Sequence, residues 1–251
     1  MLSQFSRTEL LLGKDSTEVL RGCRVAIFGI GGVGGYVAEA LARSGVGSLD
    51  LIDKDTVSLT NLNRQIIATH ATLGLPKVNV MKERILAINP ETIVSTYQMF
   101  FLPETQAQFD FTQYAYVVDA VDTVTAKIAL VLAAQAAGVP VISCMGAGNK
   151  MDPTQFKVAD IYETKICPLA RVMRRALKLR GVKKLKVVFS TEEALMPAIE
   201  EQTELLTERA RGHSLPGSSP FTPAVAGLII AAEVVKDLTG WKHPGVTLKR
   251  T

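Results

Sequence analysis

Apolar positions along the chain fall into two alternating rhythms. Val25 to Phe28, Leu49 to Asp53, Ile93 to Tyr97, Tyr116 to Asp119 and Val141 to Met145 have the length and β-branched content of buried strands. Between them, Val33 to Ser44, Pro76 to about Ala87 and Thr123 to Ala137 carry the helical period, the last ended by Gly138. Strands that alternate with helices imply a mostly parallel sheet covered on both faces.

After Gly148 the alternation weakens. Phe156 to Ile161 and Lys186 to Ser190 read as strands flanking a helix from Pro168 to Leu179, and the polar stretch Arg211 to Pro220 reads as a loop. Thr222 is then expected to cap a final helix with Pro223 in its first turn, running to Leu238 and stopped by Gly240. The chain thus divides into a core, 1–148, and a C-terminal part, 149–251, whose closing helix packs back on that core.

Composition changes this picture little. At 251 residues and 47% hydrophobic side chains, the chain can bury a large single core. Its longest apolar stretch, Ala224 to Val235, is interrupted by Gly227 and Glu233 and is too short for a membrane helix. Met1 to Lys14 has no apolar run followed by a small-residue cleavage site, so a cytoplasmic protein is expected. Cys23, Cys144 and Cys167 are odd in number and widely spaced, which argues against disulfides and against a paired C-x-x-C metal site. His70, His213 and His243 show no ligand spacing. The net charge of +4 admits an anionic partner and no more.

The chemistry concentrates at the first strand end. Gly29-Ile-Gly31-Gly32-Val-Gly34 fits G-x-G-x-x-G between a strand and a helix, with Asp53 closing the next strand. This is the context of a Rossmann-like doubly wound nucleotide fold: glycines let the backbone approach phosphates, helix N–H groups face their charge, and the acid can bind ribose hydroxyls. The fingerprint alone does not choose between a nicotinamide dinucleotide and ATP. The residues beyond the second strand do: Asp53, Asp55, Asn61, Arg64 and Gln65 crowd its end, and Lys77 comes directly after Pro76 in the next helix. A triphosphate being cleaved needs cations where charge accumulates, and Arg64 and Lys77 have that character. Asp122, beyond the strand Tyr116 to Asp119, is a carboxylate able to hold Mg²⁺ against phosphates. Taken singly, each of these residues reads equally well as a solvated charge or a helix cap.

Taken together, GIGGVG, DKDTVSLTNLNRQ, the downstream PKV and VVDAVDT resemble the ubiquitin-activating-enzyme-like adenylyltransferases, over roughly Phe5 to Met145. That resemblance implies ATP and Mg²⁺. It places Gly29, Gly31 and Gly32 by the phosphates, Asp53 on the ribose, Asp55 and Gln65 in the nucleotide site, Asn61, Arg64 and Lys77 on the triphosphate, and Asp122 on the metal. In homodimeric members an N-terminal arginine reaches into the partner's site, and Phe5-Ser-Arg7 matches that position. Branches that activate sulfur-carrier proteins commonly hold zinc with two C-x-x-C pairs, which this chain lacks.

The second half, with FSRTELLLG near the start, PLARVMRRALKLRGVKK, VVFSTE and PAVAGLIIAAEVVKDL, is similar to the family branch that cyclises threonylcarbamoyladenosine at position 37 of tRNA. The residues themselves point to nucleic acid as well. Arg171 to Lys186 holds eight Arg or Lys among sixteen residues and no acid. Arg171, Arg174, Arg175 and Lys178 share one face of a helix, while Leu169, Val172, Met173, Ala176 and Leu177 share the other. By itself a basic row of this kind is more often a solvated face, but with the resemblance Arg171, Arg174, Arg175 and Lys178 are expected to contact the tRNA phosphate backbone. Cys167 at the helix start reads as packing rather than as an acyl acceptor, because an intramolecular cyclisation needs no thioester. The competing function is activation of the C-terminus of a ubiquitin-like or sulfur-carrier protein, and a third possibility is a non-catalytic nucleotide-binding partner. The resemblance also admits a monovalent cation at the site and sulfur-transfer proteins as partners.

Overall fold

The structure, a computed structural model, describes residues 2–196 and 216–242. Two short helices, α1 (Ser6–Leu12) and α2 (Lys14–Arg21), precede β1 (Arg24–Phe28). Next come α3 (Gly34–Ser44), β2 (Ser48–Ile52), α4 (Lys77–Ile88), β3 (Ile93–Tyr97), β4 (Tyr116–Asp119), α5 (Val124–Ala136) and β5 (Val141–Cys144). The second half contributes β6 (Phe156–Asp160), α6 (Pro168–Lys178), β7 (Lys186–Ser190) and α7 (Thr222–Thr239). All strands join one seven-stranded sheet in the order β3-β2-β1-β4-β5-β7-β6. Every neighbouring pair is parallel except β6 with β7.

Progression through the chain runs one way from β1 to β3 and the other way from β4 outwards, so the order reverses between β1 and β4. In such sheets the crevice beyond the carboxyl ends of the two diverging strands is where ligands bind. The fold arises from the sequence pattern: β1 and β4 are buried along nearly their whole length, as central parallel strands must be. One face is covered by apolar residues of α3, α4 and α7, such as Val37, Leu41, Met81, Ile85 and Ile230. The other is covered by α5 and α6, together with an aromatic cluster in which Phe28 meets Phe101, Phe109 and Phe111 at ring-centroid distances of 5.0, 5.5 and 6.0 Å. Those rings come from the β3–β4 connection, which lacks a long helix and covers the sheet with side chains instead.

The described residues after Gly148 complete this sheet: β7 inserts beside β5, and α7 returns to lie across α3. Gly227 permits that crossing, since a Cβ there would sit 2.4 Å from the Val33 carbonyl oxygen. Some local expectations are corrected. Thr222 is the first residue of α7 rather than its cap, and its hydroxyl donates to the Ala147 carbonyl at 3.2 Å. Cys23 lies just before β1, half-buried, and its thiol donates to the Val19 carbonyl. The two N-terminal helices had no counterpart in the sequence pattern. The first half of the expected loop at Arg211 to Pro220, along with His213 and His243, lies outside the described residues. Among the described residues no helix is long and apolar enough to cross a membrane.

Candidate active site

A cavity of about 300 Å³ opens at the reversal point of the sheet. Its walls include Gly29, Gly31, Gly32, Asp53, Asp55, Asn61, Arg64, Gln65, Lys77 and Asp122, so residues far apart in sequence meet at one strand edge. The glycine loop is shaped for close approach. Gly29 holds φ +91°, and a Cβ at that position would lie 2.6 Å from the Ala120 carbonyl oxygen. At Gly32 a Cβ would crowd Pro223 at 3.2 Å and Arg64 at 3.4 Å. Bare backbone therefore faces the cavity at the start of α3, where N–H groups attract anions.

Asp53 is fixed at the end of β2 by its neighbours. Its carboxylate accepts from the Ile30 N–H at 2.7 Å and the Asp55 N–H at 2.8 Å. Burial pushes its pKa above the usual carboxylate value; the Lys77 ammonium 4.0 Å away and the two N–H donors oppose that, and Asp55 adds to it. The Lys77 side chain is itself buried and donates to Asp55 at 3.0 Å. A buried ammonium between two carboxylates is already partly desolvated, which strengthens its action on a nearby anion. Arg64 donates to the Thr60 carbonyl and the Asn63 side chain, each at 2.9 Å, and burial lowers its pKa. Asn61 closes the turn that carries Arg64, accepting from the Ser58 N–H at 3.1 Å. Asp122 is exposed at the rim. Among the described residues no three His, Cys, Asp or Glu side chains are grouped to hold a metal. A cation here would depend on Asp122 together with ligand phosphates, the usual pattern for Mg²⁺.

Part of the wall is not announced by the sequence pattern. Lys54 places its ammonium 4.6 Å from the Phe100 ring centroid, and Met99, Phe100 and Phe101 line the same cavity. Nor is the buried pair of Lys127 with Asp119, the residue before the cavity-lining Ala120, with side chains 1% and 0% exposed. The available signal was a single lysine in the otherwise apolar VTAKIALVLAA helix, together with the first aspartate of DAVD.

Other candidates lie outside the cavity. Arg7 is exposed on α1, which is anchored through Phe5 packed on Gly45. On α6, Arg171, Arg175 and Lys178 are exposed, but Arg174 is only partly so, and its guanidinium donates to the Thr164 carbonyl at 2.9 Å and to the Thr164 hydroxyl. The apolar side is also narrower than its sequence suggests: Ala170, Met173 and Leu177 are buried, whereas Val172 is exposed. Helical spacing put Arg174 in the basic row, but a neighbouring loop holds it. Cys167 is buried beside Val131, Met145 and Met173, a packing position.

A model of the ThiF family matches residues 5–250. The chain belongs to this family. ThiF-family relatives similar to it over nearly their whole length include the tRNA threonylcarbamoyladenosine dehydratase of Bacillus subtilis, 46% identical over 95% of both chains. That of Escherichia coli is 35% identical over 94% of this chain and 93% of its own. Similarity to the Escherichia coli molybdopterin-synthase adenylyltransferase, at 35% identity, covers 59% of each. Among solved structures, that of the Escherichia coli dehydratase in complex with ATP superposes with a TM-score of 0.84 at 36% identity over 94% of both chains. The TM-score with its AMP complex is 0.85.

Proposed function

We infer that the protein uses ATP to dehydrate N6-threonylcarbamoyladenosine at position 37 of tRNA, through adenylation of the threonyl carboxylate. The observation that carries this reading is the whole-length likeness to the Bacillus subtilis dehydratase, which includes the second half, whereas likeness to the molybdopterin-synthase adenylyltransferase covers 59% of the chain. The cavity chemistry is consistent with it. Asp53 would accept ribose hydroxyls, and the loop at Gly29, Gly31 and Gly32 would receive phosphates. Arg64 and Lys77 face the charge that builds up as the substrate carboxylate attacks the α-phosphorus and pyrophosphate leaves. Asp122 would hold Mg²⁺, which when bound neutralises phosphate charge. The ring then closes as the substrate's amide nitrogen attacks the activated carbonyl and AMP departs, so the nucleoside loses one water overall.

Two finer points belong to the same reading. The enzyme acts as a homodimer in which Arg7 completes the partner's site; Leu10 and Leu11, 85% and 80% exposed on the same helix, support an apolar contact there. Arg171, Arg175 and Lys178 track the tRNA backbone, with Arg174 holding their helix in place. The test is a mass spectrum of tRNA nucleosides from cells lacking the protein. The threonylcarbamoyl nucleoside should persist there, and the species lighter by one water should return when purified protein and ATP are added. Activation of a sulfur carrier would instead show as ATP–pyrophosphate exchange stimulated by a protein ending in Gly-Gly and not by tRNA.

A further inference from the structure

Below the cavity floor lies a polar cluster that takes no direct part in adenylation or ring closure. The Lys127 ammonium, on the first turn of α5, contacts both Asp119 oxygens at 3.1 and 3.0 Å, the Cys144 carbonyl at 2.7 Å and the Ser143 hydroxyl at 3.4 Å. Ser143 in turn donates to Asp119. The cluster therefore ties the ends of β4 and β5 to α5. Asp119 also accepts from the Val121 N–H at 3.3 Å, and the preceding Ala120 carbonyl is pressed against Gly29. The peptide leading to Asp122 is thus held from below by Asp119 and from the side by the glycine loop. A buried ion pair often stabilises a protein no better than apolar residues of the same volume, so stability alone does not account for this one.

We propose that Lys127 is a positioning residue that, through Asp119 and the Val121 amide, sets where Asp122 presents its carboxylate to a nucleotide-bound divalent cation. This rests on Asp122 as the metal-holding residue. The arrangement is that of a metal site's outer support, whose loss commonly costs about ten- to a hundredfold in metal affinity.

The test is calorimetric titration of ATP with and without Mg²⁺. Asp122→Ala should abolish the tightening caused by the metal. If it does not, the reading of Asp122 itself fails, independently of Lys127. Given that result, Lys127→Met should reduce the Mg²⁺-dependent tightening by about tenfold or more, leave Mg²⁺-free affinity unchanged, and have no further effect in the Asp122→Ala background. Amide hydrogen exchange at 121–123 should accelerate in Lys127→Met. The pair Asp119→Leu with Lys127→Met leaves no buried charge behind, so it tests the same point if the single variant unfolds, and the same loss is expected. Full retention of the metal effect in the folded variants would overturn the proposal. So would an equal loss of nucleotide affinity with and without Asp122, because a merely structural role predicts additivity.

Discussion

At the scale of single residues, the site depends on how Lys77 and Asp53 share one buried corner. Burial drives Asp53 toward the neutral form, and Lys77 at 4.0 Å holds it back. If the ionised Asp53 carboxylate binds the ribose hydroxyls, ATP affinity should fall as pH drops through the Asp53 pKa. Lys77→Met keeps the buried stem but removes the opposing charge, so that pKa rises further and the loss of affinity should begin at a higher pH than in the parent. Titration of ATP across the acidic range measures the displacement; profiles that coincide would mean Lys77 does not control Asp53. Turnover should also fall by about a hundredfold or more in Arg64→Ala, Lys77→Ala and Asp122→Ala, if each supplies electrostatic stabilisation of the usual size. The thiols behave differently from these groups. Burial pushes Cys144 up to about 12 and raises Cys23 above its ordinary value. Alkylation of the folded protein should therefore be slow at neutral pH, begin at half-buried Cys23 and quicken as pH is raised into the alkaline range. Cys167→Ala should remain active, whereas an acyl-acceptor cysteine would make it inactive.

At the scale of elements, the basic residues that share one face of α6 differ in exposure and contacts. Exposed Arg171, Arg175 and Lys178 are free to meet phosphates, and each contact would release condensed counterions. Replacing Arg175 and Lys178 with Ala should therefore weaken tRNA binding and flatten its salt dependence by somewhat under one log-log unit per residue, with ATP affinity and thermal stability unchanged. Arg174→Ala should behave in the opposite way, lowering stability by about 1 kcal/mol or more through the lost charged hydrogen bonds to Thr164 and leaving the salt slope near that of the parent. If both variants alter the salt slope equally, Arg174 reaches the tRNA after all. The same contrast marks what was legible in the sequence. Runs such as YVVD and KVVFS declare buried strands because their neighbours on both faces are apolar, and the GIGGVG loop declares its ligand because its geometry is local. The tether of Arg174 to Thr164 and the pairing of Lys127 with Asp119 depend on chain segments brought together only by folding. Nor are α1 and α2 announced, since each is only about two turns long and is anchored by single residues, Phe5 and Leu20.

At the scale of the whole molecule, the cavity gathers Asp53, Arg64, Lys77 and Asp122 of one chain but not Arg7, which stands exposed on α1 beside Leu10 and Leu11. A short helix carrying two exposed leucines and a cation at its outer edge suits a surface covered by a second copy. If the partner's Arg7 enters the site, Arg7→Ala should fold, dimerise and bind ATP, yet lose turnover, since the lost charge acts only as negative charge develops on the phosphates. Asp122→Ala should be inactive for a different reason, the loss of metal from its own chain's site. Mixing the two inactive variants gives hybrid dimers in which one site lacks both residues and the other retains both. At equal concentrations and random exchange half of the dimers are hybrids, each with one intact site, so activity should recover to about a quarter of the parental value per site. Mass spectrometry of the mixture would establish that exchange has occurred. Recovery to that level requires a site shared across the interface; exchanged dimers that stay inactive would confine Arg7 to its own subunit or remove it from the chemistry.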